Sequence, residues 1–187
     1  MNRVSRKWWY IITQIIYKRK FNRIGKGTVI YRPLQFNRVY TVTIEKNVFL
    51  AEGVWLIGSD KESDTMTIME GTVIGHYAHI VARHSVIIEK NVLIADKVFI
   101  TDSSHEFEDV TLPIKNQGMR IDGDVVIGEN SWVGENVAIC GASIGKNCVI
   151  GANSVVTHDI PDYCVAVGNP AKVIKRFDFE NGKWMKV

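Results

Sequence analysis

Histidine is the side chain best suited to move a proton near neutral pH, and the placing of the histidines opens two kinds of chemistry here. His105 stands in a polar stretch, TDSSHEFED (101–109). A neutral imidazole, with an ordinary pKa near ~6.5, can take the proton of a hydroxyl as that hydroxyl attacks a carbonyl, help worth ~10²–10⁴ in rate. A base needs an orienting group. Asp102 and Glu106 are near in sequence, and Asp102 reaches the second ring nitrogen if the loop folds back. A backbone carbonyl would serve as well, and an aspartate here also suits a turn. On residues alone, His105 is either a general base or a solvated loop histidine. The second kind is metal binding: His76, His79 and His84 form H-x-x-H-x4-H, and histidines close together are zinc ligands. Cys140, Cys148 and Cys164 are odd in number and lack paired spacing; they read as reduced thiols of a cytoplasmic protein, with Cys148 in a packing role.

The elements that must position these groups announce themselves by period. From 127 the chain divides into IGENSW, VGENVA, a shortened ICGAS, IGKNCV and IGANSV. Ile44, Leu50 and Leu56 keep the same spacing of six, as do Ile68, Ile74 and Ile80, and Ile88, Ile94 and Ile100. A helix repeats every 3.6 residues and a flat strand every 2, so neither explains six. A coil with three short sides does, with one aliphatic residue pointing inward per side and a full turn after about eighteen residues. The fold predicted is an all-β parallel β-helix solenoid of hexapeptide repeats over 24–157. Three interruptions fall at 57–67, 80–88 and, longest, 101–120. Insertions in solenoids cluster on one face and commonly build its binding site. The last becomes the protruding loop that carries His105. Residues 158–187 form a short C-terminal tail, basic after Ala171, as strand or short helix.

Composition sets the outer limits. With 187 residues, 46% hydrophobic and 23% charged, the chain is long enough for one domain with a core and is not a disordered composition. No run of eighteen apolar residues and no convincing secretory signal is present, so neither a transmembrane helix nor export is expected. Charge is uneven: residues 1–44 hold ten Lys or Arg and no Asp or Glu, leaving 13 positive against 20 negative in the rest. Within 1–23 the segment WWYIITQIIY (8–17) is apolar, aromatic and bracketed by basic residues. It reads as a helix that caps the open end of the solenoid. It also suits peripheral contact with an anionic membrane surface, Trp and Tyr at the interface and Lys and Arg toward phosphates. No nucleic-acid motif accompanies the basic cluster, so nucleic acid is not expected as a partner.

Residues 88–176 resemble the hexapeptide-repeat acyltransferases, in the branch of maltose, galactoside and polysaccharide O-acetyltransferases. The strings that carry the likeness are NVLIADKVFITDSSH, VVIGENSWVGENVAI, IGKNCVIGANSVVTHDIP and VGNPAKVIKRF, in family order. The resemblance implies a left-handed coil, a homotrimer with active sites between subunits, and acetyl-CoA as co-substrate. It makes His105 the base that deprotonates the acceptor. By the same resemblance Trp132, Glu135, Ala152 and Thr157 line the pantetheine arm, with Lys172 and Lys175 at the phosphates and Arg176 beside them. Cationic side chains are what a 3′-phosphate requires. The N-terminal cap of the maltose and galactoside enzymes has no counterpart in 1–43, and their acceptor-side Asn and Asp are replaced near Gly75 and Arg83. Arg83 and His84 are therefore the candidate acceptor-binding residues, and HEFEDVTLPIKNQ looks more like enzymes acetylating lipopolysaccharide, capsule or exopolysaccharide sugars. A lipid-linked glycan at the inner face of the cytoplasmic membrane would suit the basic, aromatic N-terminus.

Other functions stay open on these residues. An N-acyltransferase acting on an amino sugar nucleotide would use the same base and co-substrate. A metal lyase like the γ-class carbonic anhydrases would need a histidine well upstream of an H-x4-H pair; His79 and His84 have that spacing, but no histidine precedes His76, so no metal site is expected. A β-helix without catalysis would act as a scaffold.

Overall fold

The computed structural model describes residues 3–61, 63 and 65–187. Met1 and Asn2 of the expected N-terminal segment, and Glu62 and Asp64 of the 57–67 insertion, lie outside the described residues. The period of six becomes a three-sided stack of parallel coils. The first sheet runs Arg23–Ile24, Val42–Ile44, Thr65–Ile68, Ser85–Ile88 and Val125–Ile127. The second stacks Val29–Ile30, Phe49–Leu50, Val73–Ile74, Leu93–Ile94, Trp132–Val133, Val149–Ile150 and Cys164–Gly168. The third stacks Gln35–Asn37, Trp55–Ile57, His79–Val81, Phe99–Thr101, Ala138–Cys140 and Val155–Val156. Each coil passes through the three sheets in that order. Parallel stacking continues past residue 157: Ile144 bridges Ile160, and Val149–Ile150 pairs with Cys164–Gly168.

The frame-opening residues are the core. Ile44, Leu50, Leu56, Ile68, Ile74, Ile88 and Ile100 are 0% exposed. Stacking them along the axis removes their apolar surface from water with no need for a second layer, each worth roughly 1.5–3 kcal/mol. β-Branched side chains suit these short strands, where they pack on the pleated surface.

Between strands the chain must turn sharply. The second turn residue takes a left-handed conformation, which asparagine and glycine adopt at least cost. Asn47, Asn91, Asn130 and Asn147 do so at the edge between the first and second sheets, and Asn136 and Asn153 between the second and third. At Gly53, with φ +80°, an added Cβ would also lie 2.3 Å from the Tyr77 ring of the next coil. A second device recurs at the edges: a carboxylate of one coil accepts a backbone N–H from a neighbouring coil. Glu45 takes that of Glu70 (3.0 Å), Glu89 that of Glu129 (2.9 Å), Asp96 that of His76 (2.7 Å) and Asp162 that of Lys146 (2.8 Å). Buried hydroxyls do the same inside: Ser131 donates to Gly145 O (2.8 Å) and accepts from Cys148 N (2.9 Å). Backbone polar groups that the coils leave over are satisfied in this way.

Both ends of the second sheet are closed. The N-terminal helix, Arg3–Ile15, lies against the first coil. Thr13, fully buried, accepts Ile30 N (2.9 Å) with its Oγ1, and Gln14 Nε2 donates to Gly25 O (3.1 Å). Trp9 meets Tyr31 edge-on at 5.5 Å, and Phe21 and Tyr17 pack edge-on against Phe36. At the other end Ala171–Asp178 and Lys183–Lys186 add two antiparallel strands, so the tail is a strand hairpin. No helix among the described residues is long and apolar enough to cross a membrane.

Candidate active site

The long insertion is a built arm. Ser103–His105 pairs antiparallel with Met119–Ile121, setting His105 opposite Met119. Arg120 braces the hairpin: its Nε donates to Ser104 Oγ (3.0 Å) and Asp122 Oδ1 (2.9 Å), and its guanidinium lies 4.9 Å from the Phe107 ring centre. Farther out, Gln117 Nε2 donates to Asp109 O (2.8 Å) and Leu112 O (2.9 Å). Thr111 hydroxyl and backbone hydrogen bonds hold the Asp109 carboxyl below the usual carboxylate range. His105 emerges exposed from this frame, and among the described residues nothing hydrogen-bonds its ring. An imidazole so held is open to an incoming hydroxyl.

Asp102 does something other than orient that ring. It is 0% exposed. Its carboxylate accepts three backbone N–H groups, from Arg83 (2.9 Å), His84 (2.7 Å) and Ser85 (2.8 Å). The expected reach to the second nitrogen of His105 is not among the hydrogen bonds of the described residues: the carboxylate bonds instead to the turn of the preceding coil. Asp102 is the edge carboxylate of the coil stack, enlarged to three bonds at the root of the arm. It joins Arg83 and His84 to the segment that carries His105. Asp124, at the other root of the arm, lies 3.5 Å from His84 Nε2. The Nε of Arg83 is buried, with no hydrogen-bond partner among the described residues.

The residues expected to hold the co-substrate fall on three surfaces. Glu135 and Ala152 line a groove of about 410 Å³ at the edge between the second and third sheets, with Lys97, Asn136 and Asn153. Lys97 donates to Glu135 (3.0 Å), which holds the Lys97 ammonium above its ordinary pKa, and Asn136 donates to Asn153 (2.9 Å). Sequence reasoning missed Lys97, Asn136 and Asn153. The signal was available: aligning frames by coil puts 97, 136 and 153 in one column. Trp132 sits half-exposed on the outer face of the second sheet, in register with Val149, Val165 and then Lys175 of the tail. Lys172 stands opposite Val167 and Arg176 opposite Cys164 on the same tail strand. Thr157 lies one sheet away, beyond Val155–Val156, its hydroxyl 3.0 Å from His158 Nδ1. Gly134, beside the groove, is bare because of stacking: a Cβ there would lie 2.7 Å from Ala152 N.

The arm thus leaves the edge between the third and first sheets, whereas the groove lies on the edge between the second and third. One subunit does not bring the two together.

The remaining titratable candidates diverge. His76 is exposed beside Asp96 (3.2 Å) at one edge. His79 stacks on Trp55 with ring centres 4.1 Å apart, and burial pushes its pKa down. His84 lies at the opposite edge, and no group of three potential metal ligands occurs among the described residues. Cys148 is buried, its thiol pushed up to about 11 by burial, as befits packing rather than reaction.

Comparison with known proteins agrees with the repeat. Residues 124–158 match a family described as the hexapeptide repeat of succinyl-transferase. A Mycobacterium tuberculosis protein named as an acetyltransferase is 51% identical over 69 residues, covering 36% of this chain and 23% of that protein. WbbJ of Escherichia coli, named as an O-acetyl transferase of lipopolysaccharide biosynthesis, is 49% identical over 63 residues, 33% of this chain and 32% of its own. The chain spans about a third or less of the length of these curated relatives. Over the whole fold, a maltose O-acetyltransferase of Clostridium difficile superposes with TM-score 0.58 at 26% identity, covering 95% of this chain and 90% of that one. The N-acyltransferase AntD of Bacillus cereus superposes with TM-score 0.73 at 19% identity, covering 90% and 91%, a likeness of fold. The likeness to the hexapeptide-repeat acyltransferases, with O-acetyltransferases among them, thus holds in the coils by sequence and in the whole chain by shape.

Proposed function

We propose that the protein is an acetyl-CoA-dependent O-acetyltransferase acting on a sugar hydroxyl, in cell-surface polysaccharide or lipopolysaccharide synthesis. One observation carries this: an exposed imidazole, His105, stands on a braced arm at an edge of a hexapeptide coil stack. The hydroxyl proton passes to the neutral ring as the oxygen attacks the thioester carbonyl. The tetrahedral oxyanion takes an N–H donor, for which a backbone amide near 132–135 is suited. The C–S bond then breaks, CoA leaves as the thiol, and the imidazolium returns its proton to it. Arg83 and His84, tied to the arm root by Asp102, face the acceptor. Glu135 and Ala152 hold the pantetheine arm, and Lys172, Lys175 and Arg176 the phosphates.

The separation of arm and groove supports a homotrimer in which one subunit lends its arm to the groove of the next. The acceptor is a glycan, lipid-linked at the inner face of the cytoplasmic membrane, which the basic N-terminal segment approaches. Incubation with acetyl-CoA and candidate glycans, read by mass spectrometry, tests the chemistry. Acetyl esters on a sugar hydroxyl are expected; an amide on an amino sugar nucleotide would move the protein to N-acylation, and no transfer to either would sink the proposal. Light scattering of the purified protein tests the trimer.

A further inference from the structure

The N-terminal helix has two apolar faces, and capping uses only one. Thr13 and Trp9 turn toward the first coil. On the opposite side Val4, Trp8, Ile11 and Ile15 recur at intervals of four, three and four, one stripe of a 3.6-residue helix. They are 68%, 63%, 37% and 56% exposed. With Lys7 three of them line a depression of about 710 Å³, wider than the groove described above. A capping helix needs no such stripe, and a solvated helix would carry polar residues there. The surroundings are basic: Arg6 and Lys7 beside the stripe, Lys18, Arg19 and Lys20 just beyond the helix, all exposed, with no acidic residue before Glu45.

We infer that this end of the β-helix is a docking surface for an anionic lipid bilayer. Trp8 and Ile11 enter the headgroup boundary and the basic residues meet lipid phosphates. Charge selects this occupant: a second copy would set these five positive charges against the same five, whereas anionic headgroups neutralise them. The inference deepens the proposed function by naming the surface through which a lipid-linked acceptor is met. It needs no catalysis. In the proposed trimer with parallel axes, three stripes share one end and reinforce one another by effective concentration.

The test is sedimentation of the purified protein with phosphatidylcholine vesicles, with and without phosphatidylglycerol. Binding is expected only to the anionic vesicles, to weaken with added salt, and to fall on the order of tenfold in Trp8→Glu and in Lys7→Glu. Val187→Glu, exposed at the far end of the chain, should bind as the parent does. Failure of the parent to sediment with anionic vesicles, or undiminished binding by Trp8→Glu of unchanged melting temperature, would overturn the inference. So would a loss of self-association in Trp8→Glu, which would assign the stripe to a second copy. Acetyl transfer, assayed on a soluble acceptor, is read separately, so failure of the chemistry leaves lipid binding intact and the reverse also holds.

Discussion

Two kinds of edge run along this prism, and they are built by opposite means. Where the first sheet meets the second, turns are nearly uniform: asparagine or glycine in the left-handed region at every coil but the last, where Tyr163 takes that place, with carboxylate-to-amide bonds at Glu45, Glu89 and Asp162. Where the third meets the first, uniformity lapses: the 57–67 and 101–120 segments and the turn at 82–85 all fall there. The uniform edge fixes geometry and leaves little room for chemistry. The lapsed edge holds His84, Arg83 and His105, yet it is not loose, because Asp102 and Arg120 make six polar contacts that brace it. The difference teaches that a solenoid acquires a site by interrupting its repeat and then repairing the interruption with polar bonds, from a buried carboxylate at Asp102 and a half-exposed guanidinium at Arg120.

The contrast can be broken most sharply at His105. His105→Asn should cut acetyl transfer by ~10²–10⁴, measured as thiol release, with an unchanged melting temperature, since the ring supports nothing in the fold. A rate equal to the parent would remove the arm from the chemistry. The uniform part should respond the other way. Ile94→Ala, in the buried column of the second sheet, should cost about 2–5 kcal/mol in denaturant unfolding. Asp102→Ala lies between the two: it leaves three part-buried amides without their acceptor, for about 1–3 kcal/mol, and should lower turnover. If Asp102 only holds the arm root, the pH profile of the remaining activity keeps its shape; a displaced acidic limb would make it a partner of the base after all. Lys175→Gln should raise KM for acetyl-CoA about tenfold with kcat little changed, the pattern of a ground-state phosphate contact. The smallest effect is expected at His79. Its pKa is lowered by burial, so stability is full above the ordinary value of 6.5 and is lost as pH falls through the lowered folded value. Thermal melts should decline as pH falls from 6.5 toward that lowered value in the parent, and decline less in His79→Gln.

Much of the fold could be read from the chain because an inward isoleucine every sixth residue has one explanation, and Ile44, Ile68 and Ile100 are all fully buried. The arm was legible as an interruption, and His105 as its reactive residue. The role of Asp102 was not, because its partners are backbone amides a whole coil away, at Arg83, His84 and Ser85. Sequence proximity to His105 suggested a side-chain partner where register supplied a backbone one. The helix was partly legible: WWYIITQIIY reads as largely apolar, but only the coil beneath it decides that Trp9 turns in and Trp8 out.

The closure of the second sheet at both ends has a consequence for solution behaviour. An uncovered terminal coil would offer unpaired amides and carbonyls to another molecule's terminal coil, an invitation to grow head-to-tail without limit. Thr13 occupies the Ile30 amide at one end, and the antiparallel Ala171–Asp178 strand covers Cys164–Gly168 at the other. Along that sheet the coil amides are covered at both ends, and the outermost strand at the tail end, Lys183–Lys186, carries lysines at both its ends, a charge that discourages strand-to-strand growth.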